Sequence, residues 1–387
     1  MHPGIFYKLV LISLIVSGCH STNLQYSLAT ETLSDPTLPS PQEIVNLPNA
    51  LYYLSSMGSG NVQIWRLSPD GTELSLLTSI PGEALGILDF DVSFITNQLA
   101  FIAGNQLLLS DIDGGISRMI LDANQTNRTN DIIPQTIQAI HWSPDGSTLA
   151  FSLGGINLYN LNSGSIVNIL PDVLVDEGNA IILGTTYNPL AWSPDGSRLL
   201  VNINQPGESN LGILSISTGT LTELTPGPVC CQAIWTPDSQ EIITANPYLR
   251  AGKTGLWTYN VETGSGRELI TSQENDNTYN LVGWPILTQE GWLQYFFANL
   301  PDIPDAESAF VLVRSNRDGV SDRTPLRTDS FFPKEVLWSL DGKIAIMVIN
   351  SPGSSTWSPM GPIILIQQSN SIVQPLAANG YNLHWGP

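Results

Sequence analysis

One short phrase recurs along the chain and constrains its fold more than any other feature. It reads His141-Trp142-Ser143-Pro144-Asp145-Gly146, Ala191-Trp192-Ser193-Pro194-Asp195-Gly196, Ile234-Trp235-Thr236-Pro237-Asp238-Ser239 and Leu337-Trp338-Ser339-Leu340-Asp341-Gly342. Weaker copies begin at Trp284 and Trp385, and one without its tryptophan runs from Asp89-Phe90-Asp91-Val92 to Asn97. Each copy is turn chemistry: Pro presets φ, Asp bonds nearby backbone, and Gly takes a positive φ. An apolar strand precedes each turn and another follows it, as Ile137 to Trp142 and Leu149-Ala150-Phe151 do. A third strand comes next, for example Ile156 to Leu161, and a second turn signal such as Ser163-Gly164, Thr218-Gly219 or Thr263-Gly264 leads into a more polar fourth.

The copies lie about 43 to 54 residues apart, the period of a four-stranded propeller blade. The strands of a blade are A to D from centre to rim. Trp385 ends a strand A with nothing after it, while Leu51–Leu54, Val62–Leu67 and Glu73–Thr78 are three strands with no strand A before them. Joining these ends completes one blade and removes an open sheet edge. The expected fold is therefore an all-β, seven-bladed β-propeller closed by pairing of the N- and C-terminal strands. It has six blades if the weak unit around Phe90 is not one.

The first residues read differently. Lys8 precedes an apolar run, Leu9 to Val16, too short to span a bilayer, and Val16-Ser17-Gly18-Cys19 follows. This resembles a bacterial lipobox, which implies cleavage before Cys19 and lipidation of its sulfur and amino group. The expected organisation is a signal peptide at residues 1–18, the lipidated Cys19 and a Ser-, Thr- and Pro-rich tether over 19–49, and a propeller over 50–387. The protein is then exported and held at a bacterial membrane on its periplasmic side or at the cell surface. Cys230 and Cys231 are adjacent and cannot cross-link distant parts of the fold; they form either a vicinal disulfide or two thiols. A net charge of -20 disfavours nucleic acid as a partner.

The tandem Trp-Ser-Pro-Asp-Gly units are similar to the repeats of TolB-like propellers, a relative of the WD-repeat type. Such repeats occur in the periplasmic propeller of the Tol system, beside the hydrolase domain of some serine peptidases, and in some pectate-degrading lyases. The resemblance implies the fold and is silent on activity. Similarity to TolB implies an envelope protein or peptide as partner.

In a blade the A–B and C–D turns share one face of the ring, and the B–C and D–A connections share the other. The long segments are all of the second kind: B–C connections at 204–210, 246–254, 299–308 and 350–362, and D–A connections at 122–136, 172–186, 272–278 and 328–333. Loops not needed for closure are the usual place for recognition. The expected binding face carries Tyr248, Arg250, Lys253, Asp302, Asp305, Phe331, Phe332 and Trp357. Phe331 and Phe332 have a second reading, as seals between adjacent blades.

The same residues offer no catalytic constellation. The repeats leave no room for a hydrolase domain with a Gly-x-Ser-x-Gly elbow. After residue 19 the histidines are His20, His141 and His384, of which the last two stand directly before a strand A tryptophan, where Ala191, Ile234, Gly283 and Leu337 stand in other blades. Packing is their expected role, with no metal and no cofactor. The expected function is a lipid-anchored protein- or peptide-binding scaffold without catalysis. The alternative is a propeller that binds or cleaves a polysaccharide, with Asp302 or Asp305 as acid or base.

Overall fold

The computed structural model describes residues 46–387, apart from residues 57–59, 79–85, 116–117, 127–135, 179–180, 228–231, 248–253, 276–277, 302–308, 351–357 and 369–370. Cys19, the signal segment and most of the tether therefore lie outside the described residues.

Seven blades follow one another around a ring. Strands β1 (Ala50–Ser55), β2 (Gln63–Leu67) and β3 (Leu74–Leu76) are B, C and D of the closing blade. Blade 1 is β4 (Ile87–Ser93), β5 (Gln98–Ala103), β6 (Gln106–Asp111) and β7 (Arg118–Asp122), followed by a single helical turn, α1 (Ala123–Thr126). Blade 2 is β8 (Ile140–Trp142), β9 (Thr148–Ser152), β10 (Gly155–Asn160) and β11 (Ile166–Pro171). Blade 3 has an extra strand, β12 (Val173–Asp176), before β13 (Ile181–Trp192), β14 (Arg198–Gln205), β15 (Glu208–Ser215) and β16 (Leu221–Glu223). Blade 4 is β17 (Gln232–Trp235), β18 (Glu241–Asn246), β19 (Gly255–Asn260) and β20 (Gly266–Ile270). Blade 5 likewise adds β21 (Gln273–Asn275) to β22 (Thr278–Leu287), β23 (Leu293–Pro301), β24 (Phe310–Ser315) and β25 (Thr324–Phe331). Blade 6 is β26 (Pro333–Trp338), β27 (Ile344–Ile349), β28 (Gly361–Gln367) and the first half of β29 (Val373–Gly386).

The second half of β29 leaves blade 6 and pairs with β1, Ala50 opposite Gly386 and Leu51 opposite Trp385. That is the expected closure, and it makes the seventh blade from both ends of the chain. The weak unit around Phe90 is a full blade.

The core confirms the ring. Its buried residues fall into seven clusters, each shared by two consecutive blades. Along β1, Ala50, Tyr52 and Leu54 pack with Phe90 and Phe101 of blade 1, while Leu51 and Tyr53 pack with Ile346 and Ile363 of blade 6. Alternate side chains thus serve opposite interfaces, so strands buried on both faces read as unbroken apolar runs.

The A–B turn is held by its side chains. Ser143 Oγ donates to Asp145 Oδ1 (2.6 Å) and accepts the Thr148 N–H (3.0 Å), and Asp145 Oδ1 accepts the Ser147 N–H (3.0 Å). The same three bonds recur at Ser193 and Asp195, Thr236 and Asp238, and Ser339 and Asp341. Pro is dispensable, since Leu340 takes its place and is 83% exposed. Ser239 replaces the glycine at φ 59°, where its Oγ accepts the Asp195 N–H from the neighbouring blade (3.2 Å). A further copy, Ser68-Pro69-Asp70-Gly71, forms the C–D turn of the closing blade, between the strands expected at 62–67 and 73–78.

The strand A tryptophans also bond across the interfaces. The indole N–H of Trp192 donates to the His141 carbonyl (2.9 Å), Trp235 to Ala191 (3.2 Å), Trp338 to Trp284 (3.0 Å) and Trp385 to Trp338 (2.7 Å). Trp142 faces blade 1, which has no tryptophan, and its indole N–H is buried without an acceptor. Trp192→Phe should therefore cost about 1 kcal/mol more than Trp142→Phe, because only the first leaves a carbonyl unpaired. Urea denaturation of the two variants measures the difference.

Candidate functional site

Strand A is the innermost strand of each blade, and neighbouring inner strands do not pair with one another. Their amides still need acceptors. Side chains three residues before the strand A tryptophan, or at the matching place in blade 1, supply several. Asp89 Oδ2 accepts the Ile140 N–H (3.0 Å), Gln232 Oε1 accepts the Trp284 N–H (2.5 Å), and Glu335 accepts two, from Asn382 (2.8 Å) and Leu383 (2.6 Å). Consecutive amides of a regular strand point to opposite edges. Here a bulge in the β1–β29 ladder, with Asn382 at φ 54°, turns both toward one carboxylate.

These groups gather where the ring closes. Asp91 Oδ2 accepts the Trp142 N–H (2.7 Å), and its Oδ1 lies 3.2 Å from His384 Nδ1. His141 Nδ1 lies 3.9 Å from the other oxygen, so two imidazoles flank one carboxylate. Asn382 Nδ2 donates to Asp89 (2.8 Å), and His384 Nε2 meets Asn382 Oδ1 (3.2 Å). The Phe90 ring lies 4.7 Å from the imidazole of His384. The side chains of Asp91, His384 and His141 keep 15%, 20% and 26% of their exposure, so water still reaches a cluster otherwise enclosed by protein.

Burial pushes the Asp91 carboxyl up, but the bond and charge of His384, the charge of His141 and the Trp142 amide together hold it below its ordinary value. Burial pulls His384 down, and the bond it donates to Asp91 with the charges of Asp91, Asp89 and Glu335 more than reverses this. Burial raises Glu335 despite its two amide bonds. The surroundings thus favour the charged forms of Asp91 and His384 and the neutral form of Glu335. Among the described residues no three His, Cys, Asp or Glu converge as a metal site.

The expected binding face fares differently. Tyr248, Arg250, Lys253, Asp302, Asp305 and Trp357 lie outside the described residues, as do Cys230 and Cys231. Phe331 is 7% exposed, packed edge-on to Phe296 (6.4 Å) with the Arg327 guanidinium 5.6 Å from its ring. This is the sealing role, and it removes Phe331 from the open surface. Phe332 is 37% exposed. Four of the segments read as loops are instead sheet: in 328–333, β25 runs to Phe331 and β26 begins at Pro333. Residues 204–210 are a tight hairpin in which Gln205 pairs with Glu208, while 172–186 and 272–278 carry the added strands β12 and β21. Of these last three, only 172–186 carries an apolar signal for strand, in Val173-Leu174-Val175 and Ile181-Ile182-Leu183; 204–210 and 272–278 are polar throughout. The signal for the inner carboxylates lies three residues before the tryptophan position, where four blades read Asp89, Gln232, Glu335 and Asn382, and at Asp91, which holds in blade 1 the place of His141 and His384.

No family model and no curated protein sequence matches the chain. Among solved structures, a prolyl endopeptidase is similar over 91% of this chain at 11% identity and a TM-score of 0.58, and the chain spans 50% of its length. An oligogalacturonate lyase in complex with manganese is similar over 86% of both chains, at 12% identity and a TM-score of 0.54. TolB from Acinetobacter baumannii is similar over 87% of this chain and 82% of its own, at 14% identity; its TM-score of 0.44 is too low to add weight. These likenesses concern the fold alone.

The titrations give a pH dependence with a definite sign. Raised values for His384 and Glu335 mean that their contribution is complete below the unfolded values, 6.5 and 4.5, and is lost as pH rises through the higher folded ones. The lowered value of Asp91 means that its contribution is present above 3.8 and lost as pH falls through its folded value. The thermal midpoint should decline from mildly acidic toward alkaline pH, and the decline should be shallower in Glu335→Gln. Calorimetry across that range measures both.

Proposed function

We propose that this protein is a rigid ring-shaped scaffold, tethered by lipid on Cys19 at the outer side of a bacterial membrane, that binds an envelope protein or peptide and catalyses no reaction. The asymmetry between the two faces of the ring carries this reading. A–B connections are uniformly short, from Ser93 to Gln98, Trp142 to Thr148 and Trp338 to Ile344. On the opposite face, the chain between Asn246 and Gly255, between Pro301 and Phe310, and between Ile349 and Gly361 exceeds what a hairpin needs. These connections contain Tyr248, Arg250, Lys253, Asp302, Asp305 and Trp357, aromatic and charged groups of the kind that anchor a contact. Seven shared apolar interfaces hold together the ring from which these connections emerge.

Two measurements test the two halves of the proposal. Cys19→Ala should move the protein from the membrane to the soluble fraction and abolish incorporation of labelled fatty acid. Proteins retained from envelope extract by the wild type should be released by Arg250→Ala or Trp357→Ala at unchanged thermal midpoint. Retention indifferent to both substitutions would place binding elsewhere.

A further inference from the structure

The D–A connection from blade 2 to blade 3 is a two-stranded ribbon. Strand β13 extends beyond blade 3, and β12 pairs with that extension, Leu174 opposite Leu183, Val175 opposite Ile182 and Asp176 opposite Ile181. Cross-strand partners share a face. Leu174 (55% exposed) and Leu183 (40%) therefore lie on one side, and Val175 (41%) and Ile182 (37%) on the other. Val173 on the same strand is 45% exposed, and on the adjoining rim strand β11 so are Ile166 (39%) and Val167 (54%). The ribbon thus exposes apolar side chains on both of its sides, beside two more on the rim strand.

The edge of this ribbon is also unprotected. β12 is the last strand of its sheet, with no proline and no lysine, two devices that commonly block an edge. No Lys or Arg occurs between Ile166 and Trp192, and the ribbon turns at Asp176-Glu177-Gly178. An acidic tip without cations is a poor probe of a bilayer, whose anionic headgroups would repel it.

We propose that the ribbon joins two copies of this chain, β12 pairing antiparallel with β12 of the second copy about a two-fold axis. The run Val173-Leu174-Val175 reads the same in both directions, so pairing centred on Leu174 sets each valine opposite a valine. One face of the resulting four-stranded ribbon is then a row of four leucines, Leu183 and Leu174 from each copy. Asp176 comes opposite Asp172 of the second copy. Both carboxylates are already engaged at home, Asp172 by the Tyr187 N–H (3.0 Å) and Asp176 by the Gly178 N–H (2.7 Å).

Sedimentation velocity of the full chain in density-matched detergent at physiological salt tests this. The wild type should be a dimer that dissociates on dilution, and Leu174→Lys should be monomeric at the same concentrations with the thermal midpoint of the diluted wild type. Amides of Val173 to Val175 should exchange slowly in the dimer and quickly on dilution. A wild type monomeric at every concentration, or a dimer that survives Leu174→Lys, overturns the proposal. So does a monomer that pellets with phosphatidylcholine vesicles only when Leu174 is intact, which would make the ribbon a lipid contact.

Discussion

The pairing of Leu51 with Trp385 is a contact between residues at opposite ends of the propeller domain, and the rest of the structure depends on it. Without it, β1 and the end of β29 would each be an exposed edge, and the cluster holding Tyr52, Phe90 and Phe101 would lose its frame. Every blade is a thin sheet with apolar side chains on both faces and cannot be stable alone. Each becomes so by lying between two others, and that arrangement has no ends only if it is a ring. The loop-closure entropy of joining the chain termini is offset by two apolar interfaces at once, those of blade 7 with blades 6 and 1.

Ring packing creates a second demand at the centre. The inner strands present amides that no further strand can meet, and water has limited access to them. Asp89, Asp91, Gln232 and Glu335 answer this from the preceding blade, and the indoles of Trp192, Trp235, Trp338 and Trp385 make the reverse link from the following one. Carboxylates gather at the closing blade, where the bulge at Asn382 sets two amides side by side, and His384 supplies the counter-charge. The polar centre is thus primarily a device for closing the ring. The proposed recognition site lies apart from it, in the long connections of one face, and the proposed contact between copies lies in the ribbon at 173–185.

The sequence by itself determined the blade. Turn chemistry at Ser143 to Gly146 and its copies is local, because the Ser and Asp side chains bond backbone within five residues. A regular tryptophan spacing then fixed the period, and the unmatched ends fixed the closure. Tertiary structure alone decided which polar residues meet. His141 and His384 are far apart in sequence and look like packing residues, yet two different blades bring them to Asp91 of a third. Likewise Phe331 and Phe332 are indistinguishable as letters, and only the pleat, which alternates sides at each residue, sends the first into the core and leaves the second outside. Local bonds are written in short segments and can be read there; contacts across blade interfaces depend on how the ring closes, which no segment contains.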